Sequence, residues 1–190
     1  MSRCCWVVTL AALAVGLSPS RSAARSDGPT PARVVTHDAR RLAVEWPLGQ
    51  GAAQGRLELD LREGQPLIEA LLVGRQQASA PFRAVLKEMD PECFLVVGQR
   101  RTSSGRPPQM SDFNEFFDSP ANHPHQTHRS SLEGKLTVVS ERDGRVTIQV
   151  GPLKAGTFQG HWEFTVYPGS PLVHLTAVLR TNEPRCAFLY

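Results

Sequence analysis

The sequence predicts an all-β domain, a mostly antiparallel β-sandwich with minimal helix, and three observations carry that prediction. Apolar residues recur with period two through most of the chain after residue 35. Residues 160–179 read as a hairpin whose two arms agree on one register. Trp162, Phe164 and Val166 alternate with His161, Glu163, Thr165 and Tyr167, and past Pro168-Gly169-Ser170-Pro171 the alternation resumes at Val173, Leu175, Ala177 and Leu179. Facing Val166 with Val173, Phe164 with Leu175 and Trp162 with Ala177 puts every apolar residue on one side. Only one short segment has helical spacing: Phe113, Phe116 and Phe117, with Ser111 placed to cap them.

The elements follow in order. Met1-Ser2-Arg3, the uncharged stretch 4–17 and the small residues of 18–24 have the basic, apolar, small-residue order of a secretory signal peptide, with cleavage expected after Ala24. The apolar run falls short of the roughly 20 residues a membrane span needs. Residues 25–34, with Pro29 and Pro31, are a linker without periodicity. Leu42, Val44 and Trp46, then Leu57, Leu59 and Leu61, alternate with polar or small neighbours and predict two strands with one wet face each. Residues 67–73 are more uniformly apolar and suit a more buried strand; 82–87 and 93–97 follow across Asp90-Pro91. Residues 136–140 and 146–150 flank Asp143-Gly144, a type I′ hairpin signal that faces Val139 to Ile148 and Thr137 to Val150. Past the hairpin of 160–179, residues 186–190 begin a last apolar strand. About nine strands and almost no helix point to one sandwich domain over 35–190, interrupted by a long loop at 98–132. The apolar end at Tyr190 implies either a C-terminus pinned inside a sheet or a sheet that is incomplete within this chain.

Charge and cysteines bound the function. The intact chain carries 21 Lys and Arg against 18 Asp and Glu, a net charge of +3. Loss of Arg3 and Arg21 with the leader lowers this to +1, and an electrostatic case for nucleic acid goes with it. The processed chain is expected to be secreted or periplasmic, with no membrane attachment. Cys4 and Cys5 leave with the leader, so Cys93 and Cys186 remain. In an oxidising compartment they form either one bridge, stabilising by about 4 kcal/mol, or two buried free thiols in apolar strands.

Candidate sites are few. His123, His125 and His128 are the tightest group of metal-capable side chains, although their spacing matches no established metal motif, and no cofactor is expected otherwise. Arg100, Arg101 and Arg106 lie in a Gly/Ser/Pro-rich stretch that reads as a solvated loop. The wet face of the 160–179 hairpin is the other candidate. Its register sets Thr165 opposite His174 and Glu163 opposite Thr176, so a histidine and a carboxylate lie diagonally on one surface, suited to acid–base work, to hydrogen-bonding a sugar hydroxyl, or simply to solvation. Trp46 and Trp162 fall on the dry sides of their strands. No nucleophile elbow, phosphate loop or dinucleotide fingerprint occurs.

Gly156-Thr157-Phe158-Gln159-Gly160, the run from Phe164 to His174 and Ala187-Phe188-Leu189-Tyr190 resemble large secreted bacterial proteins of uncertain function. Those proteins carry a β-sandwich similar to the galactose mutarotase-like supersandwich. The resemblance spans roughly residues 113–190 and implies a fold and a carbohydrate context. Aldose epimerases of that superfamily use a histidine and a glutamate on the concave sheet; their local motifs are not found here, so no catalytic residue is carried over. Such relatives continue past the position of Tyr190, which implies a downstream domain of the same polypeptide as a partner. The expectation is a secreted non-catalytic or accessory module that faces carbohydrate. The alternatives are the front part of a glycoside hydrolase, lyase or epimerase, or a structural support for a neighbour.

Overall fold

A computed structural model describes residues 4–5, 8–10, 30–49, 51–75, 81–99, 125–184 and 186–189. Period-two patterning becomes strand nearly everywhere. The first seven strands are β1 (Cys4–Cys5), β2 (Val8–Leu10), β3 (Arg33–His37), β4 (Arg41–Pro47), β5 (Ala53–Asp60), β6 (Ile68–Arg75) and β7 (Arg83–Met89). Seven more follow: β8 (Phe94–Gln99), β9 (His125–Arg129), β10 (Ser131–Arg142), β11 (Arg145–Ala155), β12 (Phe158–Val166), β13 (Val173–Arg180) and β14 (Cys186–Leu189). Among the described residues there is no helix, and the chain is all-β and sandwich-like, as its patterning predicts. The segment with Phe113, Phe116 and Phe117 lies outside the described residues.

Three antiparallel sheets result. One has the order β1-β13-β12-β11-β10, with β2 also on β13; the second runs β3-β4-β5-β6-β7; the third is β14-β8-β9. The dry faces of the first two meet. Leu42, Val44, Trp46, Leu57, Leu59 and Ile68 pack in one cluster with Val146, Ile148, Val150, Trp162, Phe164, Val166, Leu175, Ala177 and Leu179. Each large side chain buried this way stabilises by about 1.5–3 kcal/mol before entropy is counted. The two sheets are also tied at one corner. The Trp46 indole N–H donates to the Ser170 carbonyl at 2.8 Å, and the Gly169 and Gly49 amides bond across to Pro47 O and Gly169 O at 2.9 and 3.1 Å. The β12–β13 turn is therefore held by the end of β4.

The hairpin registers follow from their turns. Asp143 and Gly144 both take positive φ, 53° and 76°, the geometry a type I′ turn demands. Val139 accordingly faces Ile148 and Thr137 faces Val150. In β12–β13, Val166 faces Val173, Phe164 faces Leu175 and Trp162 faces Ala177 without a register break.

Two irregularities shape the molecule. The β10–β11 register shifts between Leu132 and Leu136, and the β11–β12 register shifts between Val150 and Leu153. The second shift holds Pro152, which has no N–H and is tolerated within a sheet only where the ladder is interrupted. The first swings Lys135 towards the β5–β6 turn. Its Nζ donates to three backbone carbonyls, Asp60 at 2.9 Å, Arg62 at 2.8 Å and Gln65 at 2.6 Å.

Several sequence expectations need correction. Strand β4 has no simple wet face: Ala43 and Glu45 are buried along with their apolar neighbours. Glu45 lies between its cross-strand partners Arg33 and Arg56, with carboxylate contacts at 3.1 and 3.3 Å, and the arginine stems cover the strand. The linker is shorter than expected, because β3 begins at Arg33. The loop expected at 98–132 is trimmed at both ends, since β8 reaches Gln99 and β9 occupies His125–Arg129.

Candidate functional site

The polar face of β12–β13 is built by alternation alone. With register unbroken from Gln159↔Arg180 to Val166↔Val173, the odd residues of β12 and the even residues of β13 share the face away from the core. Glu163 stands opposite Thr176 and Thr165 opposite His174, the juxtaposition that the sequence predicts. Strand β11 adds Thr147 beside Thr165 and Gln149 beside Glu163. The rows are hydrogen-bonded: Thr147 and Thr165 hydroxyls lie 3.2 Å apart, and the Gln149 amide donates to Glu163 Oε2 at 3.2 Å. The Thr176 hydroxyl lies 3.5 Å from His174 Nε2. This face is not merely a solvated one. Thr165 and Thr176 are 4% and 1% exposed, and Glu163, His174 and His161 are half-buried.

His161 occupies the next position on the same face, opposite Val178. Its Nε2 is buried without a hydrogen-bond partner. Burial pushes its pKa below the ordinary histidine value, with the Glu163 carboxylate pulling weakly the other way, so the ring is held neutral. A buried polar atom left unpaired costs about 1–3 kcal/mol.

Beyond His161 the face opens into a cleft of about 390 Å³ lined by Thr157, Gln159, Arg180, Thr181, Asn182 and Glu183. The volume falls within the ordinary range for small-ligand sites, but every lining side chain is polar. One rim is partly organised: Thr181 and Thr157 hydroxyls lie 3.3 Å apart, and the Glu183 amide donates to Thr181 Oγ1 at 3.2 Å. From His174 to Arg180 the polar strip runs about 20 Å, at roughly 3.3 Å per residue. Sequence reasoning ended the face at Glu163 and Thr176 and missed this cleft. The signal was present, since Gln159 and Arg180 share the parity of the residues singled out.

The other candidates do not assemble. His123 lies outside the described residues. His125 and His128 stand on β9, three residues apart, in register with Gly98 and Leu95 of β8. The His128 ring sits against Gly156, where an added Cβ would come within 2.7 Å of it. Among the described residues no three His, Cys, Asp or Glu side chains group as metal ligands do. Of the loop arginines, Arg100, Arg101 and Arg106 also lie outside the described residues.

Cys93 and Cys186 are free thiols, the second of the two readings that the sequence leaves open. The β8–β14 ladder is the reason. Cys186 faces Gln99, at the opposite end of β8 from Cys93, a separation of about 20 Å along the strand, whereas a disulfide needs Cα atoms within about 7 Å. Burial raises both thiol pKa values, and at Cys93 a hydrogen bond to Ser130 partly opposes this.

Comparison with known proteins finds no matching protein-family model, no matching curated protein and no matching solved structure.

Proposed function

We propose that this chain is a secreted, non-catalytic β-sandwich module that binds a hydroxyl-rich ligand, a carbohydrate, along the polar face of β12–β13. The observation that carries the reading is the cleft at Gln159 and Arg180, lined by polar side chains and on the same sheet face as the rows of Glu163, Thr165, His174 and Thr176. Sugars are recognised by groups that both donate and accept. Here a guanidinium, a carboxylate, two carboxamide side chains from Gln159 and Asn182, and the hydroxyls of Thr157 and Thr181 converge within one cleft. The length of the strip favours an extended oligosaccharide over a single small molecule. The resemblance that the sequence of roughly residues 113–190 bears to supersandwich proteins implies the same ligand class. Trp46 and Trp162 are buried, so recognition rests on hydrogen bonds, not on stacking over an indole.

Isothermal calorimetry or a glycan array tests this. Wild type is expected to bind at least one soluble oligosaccharide. Arg180→Ala and Glu163→Gln should each weaken that binding at least tenfold, the loss of a charged hydrogen bond. Binding unchanged in both variants, or absent across the array, overturns the proposal.

A further inference from the structure

The outer edge of β13 is occupied by the segment that the sequence expects the cell to remove. Val8–Leu10 pairs antiparallel with Val173–Leu175, and Cys4–Cys5 pairs with Val178–Leu179, all on one register. Once residues 1–24 are gone, the backbone groups of that edge are unpaired. An unpaired, regular strand edge is a template for another strand unless something blunts it.

The other sheet edges are blunted. Strand β10 is interrupted by its register shift and carries Glu133 and Lys135 there. Strand β3 has five residues and a shift of its own. Strand β7 contains Lys87 and has Glu88 at a φ of 49°, β14 has only four residues, and β9 exposes His125 and Arg129. Strand β13, Val-His-Leu-Thr-Ala-Val-Leu-Arg, has eight residues, no proline, no lysine and no break in register with β12. Its one formal charge is at the last position.

We infer that, after the leader is removed, two copies of this chain join edge to edge through β13, in an antiparallel pair about a two-fold axis at Ala177. The strand's own sequence argues for a second copy as the occupant. A two-fold contact must be complementary to itself. Centred on Ala177, the pairing sets Leu175 opposite Leu179 on the core side, and Thr176 opposite Val178 and His174 opposite Arg180 on the polar side. The smallest side chain of the strand lies at the axis, leucine meets leucine on the core side, and no lysine or carboxylate enters the pairing. The apolar N-terminal strands show that this edge accepts such a partner along nearly its whole length. The dimer would have one continuous sheet, twice the β10–β13 set, with both polar faces on the same side. Arg180 of each copy would lie beside His174 of the other, joining the two candidate ligand strips.

The inference rests on leader removal, which belongs to the secretion reading, and not on carbohydrate binding. The experiment uses protein exported from its full reading frame, with its N-terminus read by intact mass. The expected result is a chain beginning near residue 25 that light scattering finds dimeric. Val178→Lys should make it monomeric with an unchanged circular-dichroism spectrum, because each lysine disturbs the edge and not the core. A synthetic peptide of residues 3–11, with serine at positions 4 and 5, should seat on the same edge and dissociate the dimer. A monomeric processed chain overturns the inference, as does a dimer indifferent to both Val178→Lys and the peptide, or an exported chain that keeps its leader.

Discussion

Lys135 offers a sharp test of how the two sheets are held together. Its ammonium group leaves the β10 bulge and donates to the carbonyls of Asp60, Arg62 and Gln65, three acceptors within one turn of the opposing sheet. The turn has other ties, with Asp60 N bonding Leu67 O at 2.9 Å and Leu67 N bonding Asp90 Oδ1 at 2.6 Å. Among the described residues, the hydrogen bonds that join it to the first sheet come from Lys135. Burial pushes the amine pKa down while the Asp60 and Asp90 carboxylates push it up. Lys135→Met keeps the stem and removes the donors. Each bond to a charged group is worth about 1.5–3 kcal/mol, but part of that returns because the amine is spared desolvation and the outer carbonyls regain water. The net loss should be about 3 kcal/mol. In a chain of 190 residues, where 1 kcal/mol moves Tm by about 2–4 °C, the midpoint should fall by roughly 6–12 °C. Thermal melts followed by circular dichroism read this directly. Lys135→Arg should recover only part of the loss, because a planar fork does not aim three donors at clustered carbonyls. A Lys135→Met midpoint within about 1 °C of wild type would refute the reasoning, since the bonds would then be no better than those to water.

Two pH effects follow. The Asp60 carboxylate is bound by the Arg62 side chain, with contacts of 2.5, 3.0 and 3.1 Å, and its pKa is held down from 3.8 to about 2 by that partner. A depressed carboxylate pKa means stability fully present above about pH 4 and lost as pH falls towards 2. Because Arg62 is half exposed, the contribution is about 1–1.5 kcal/mol, and Asp60→Asn should flatten the urea-unfolding profile across that interval. His161 acts in a neighbouring window. With its folded pKa below the ordinary 6.5, the unfolded chain binds the proton more readily, so stability is fully present above about pH 6.5 and declines as pH falls below it. His161→Gln should remove that slope between pH 7 and 5 in thermal melts; an unchanged slope would assign it to another group.

The parts of the fold legible in the sequence are those specified by near neighbours. The 160–179 hairpin and the Asp143-Gly144 turn were readable because alternation and turn chemistry each act over a few residues, and a slip of one residue would bury Glu163 and expose Phe164. Residues Glu163, Thr165, His174 and Thr176 come together for the same reason. What stayed hidden depends on partners distant in sequence. The histidines of β9 look like loop until β8 supplies a ladder. The bulge that aims Lys135 exists only against β11, and the burial of Glu45 requires arginines from two neighbouring strands. Whether Cys93 and Cys186 meet was likewise decided by β8–β14 register, which spacing along the chain does not encode.

Trp46 and Trp162 carry a practical consequence. The chain has three tryptophans; Trp6 belongs to the expected leader, and of the others one is buried in each facing sheet. The processed protein would thus hold two intrinsic fluorophores that report on different halves of the same interface. The Trp46 indole spans 124 positions of sequence to reach Ser170, so its emission registers the closing of the sandwich. That of Trp162 registers assembly of the local meander β11–β13. In Trp46→Phe and Trp162→Phe variants, stopped-flow refolding would separate the two events in time. Contacts of such long sequence separation are expected to form last, and the signal from Trp46 should lag that from Trp162.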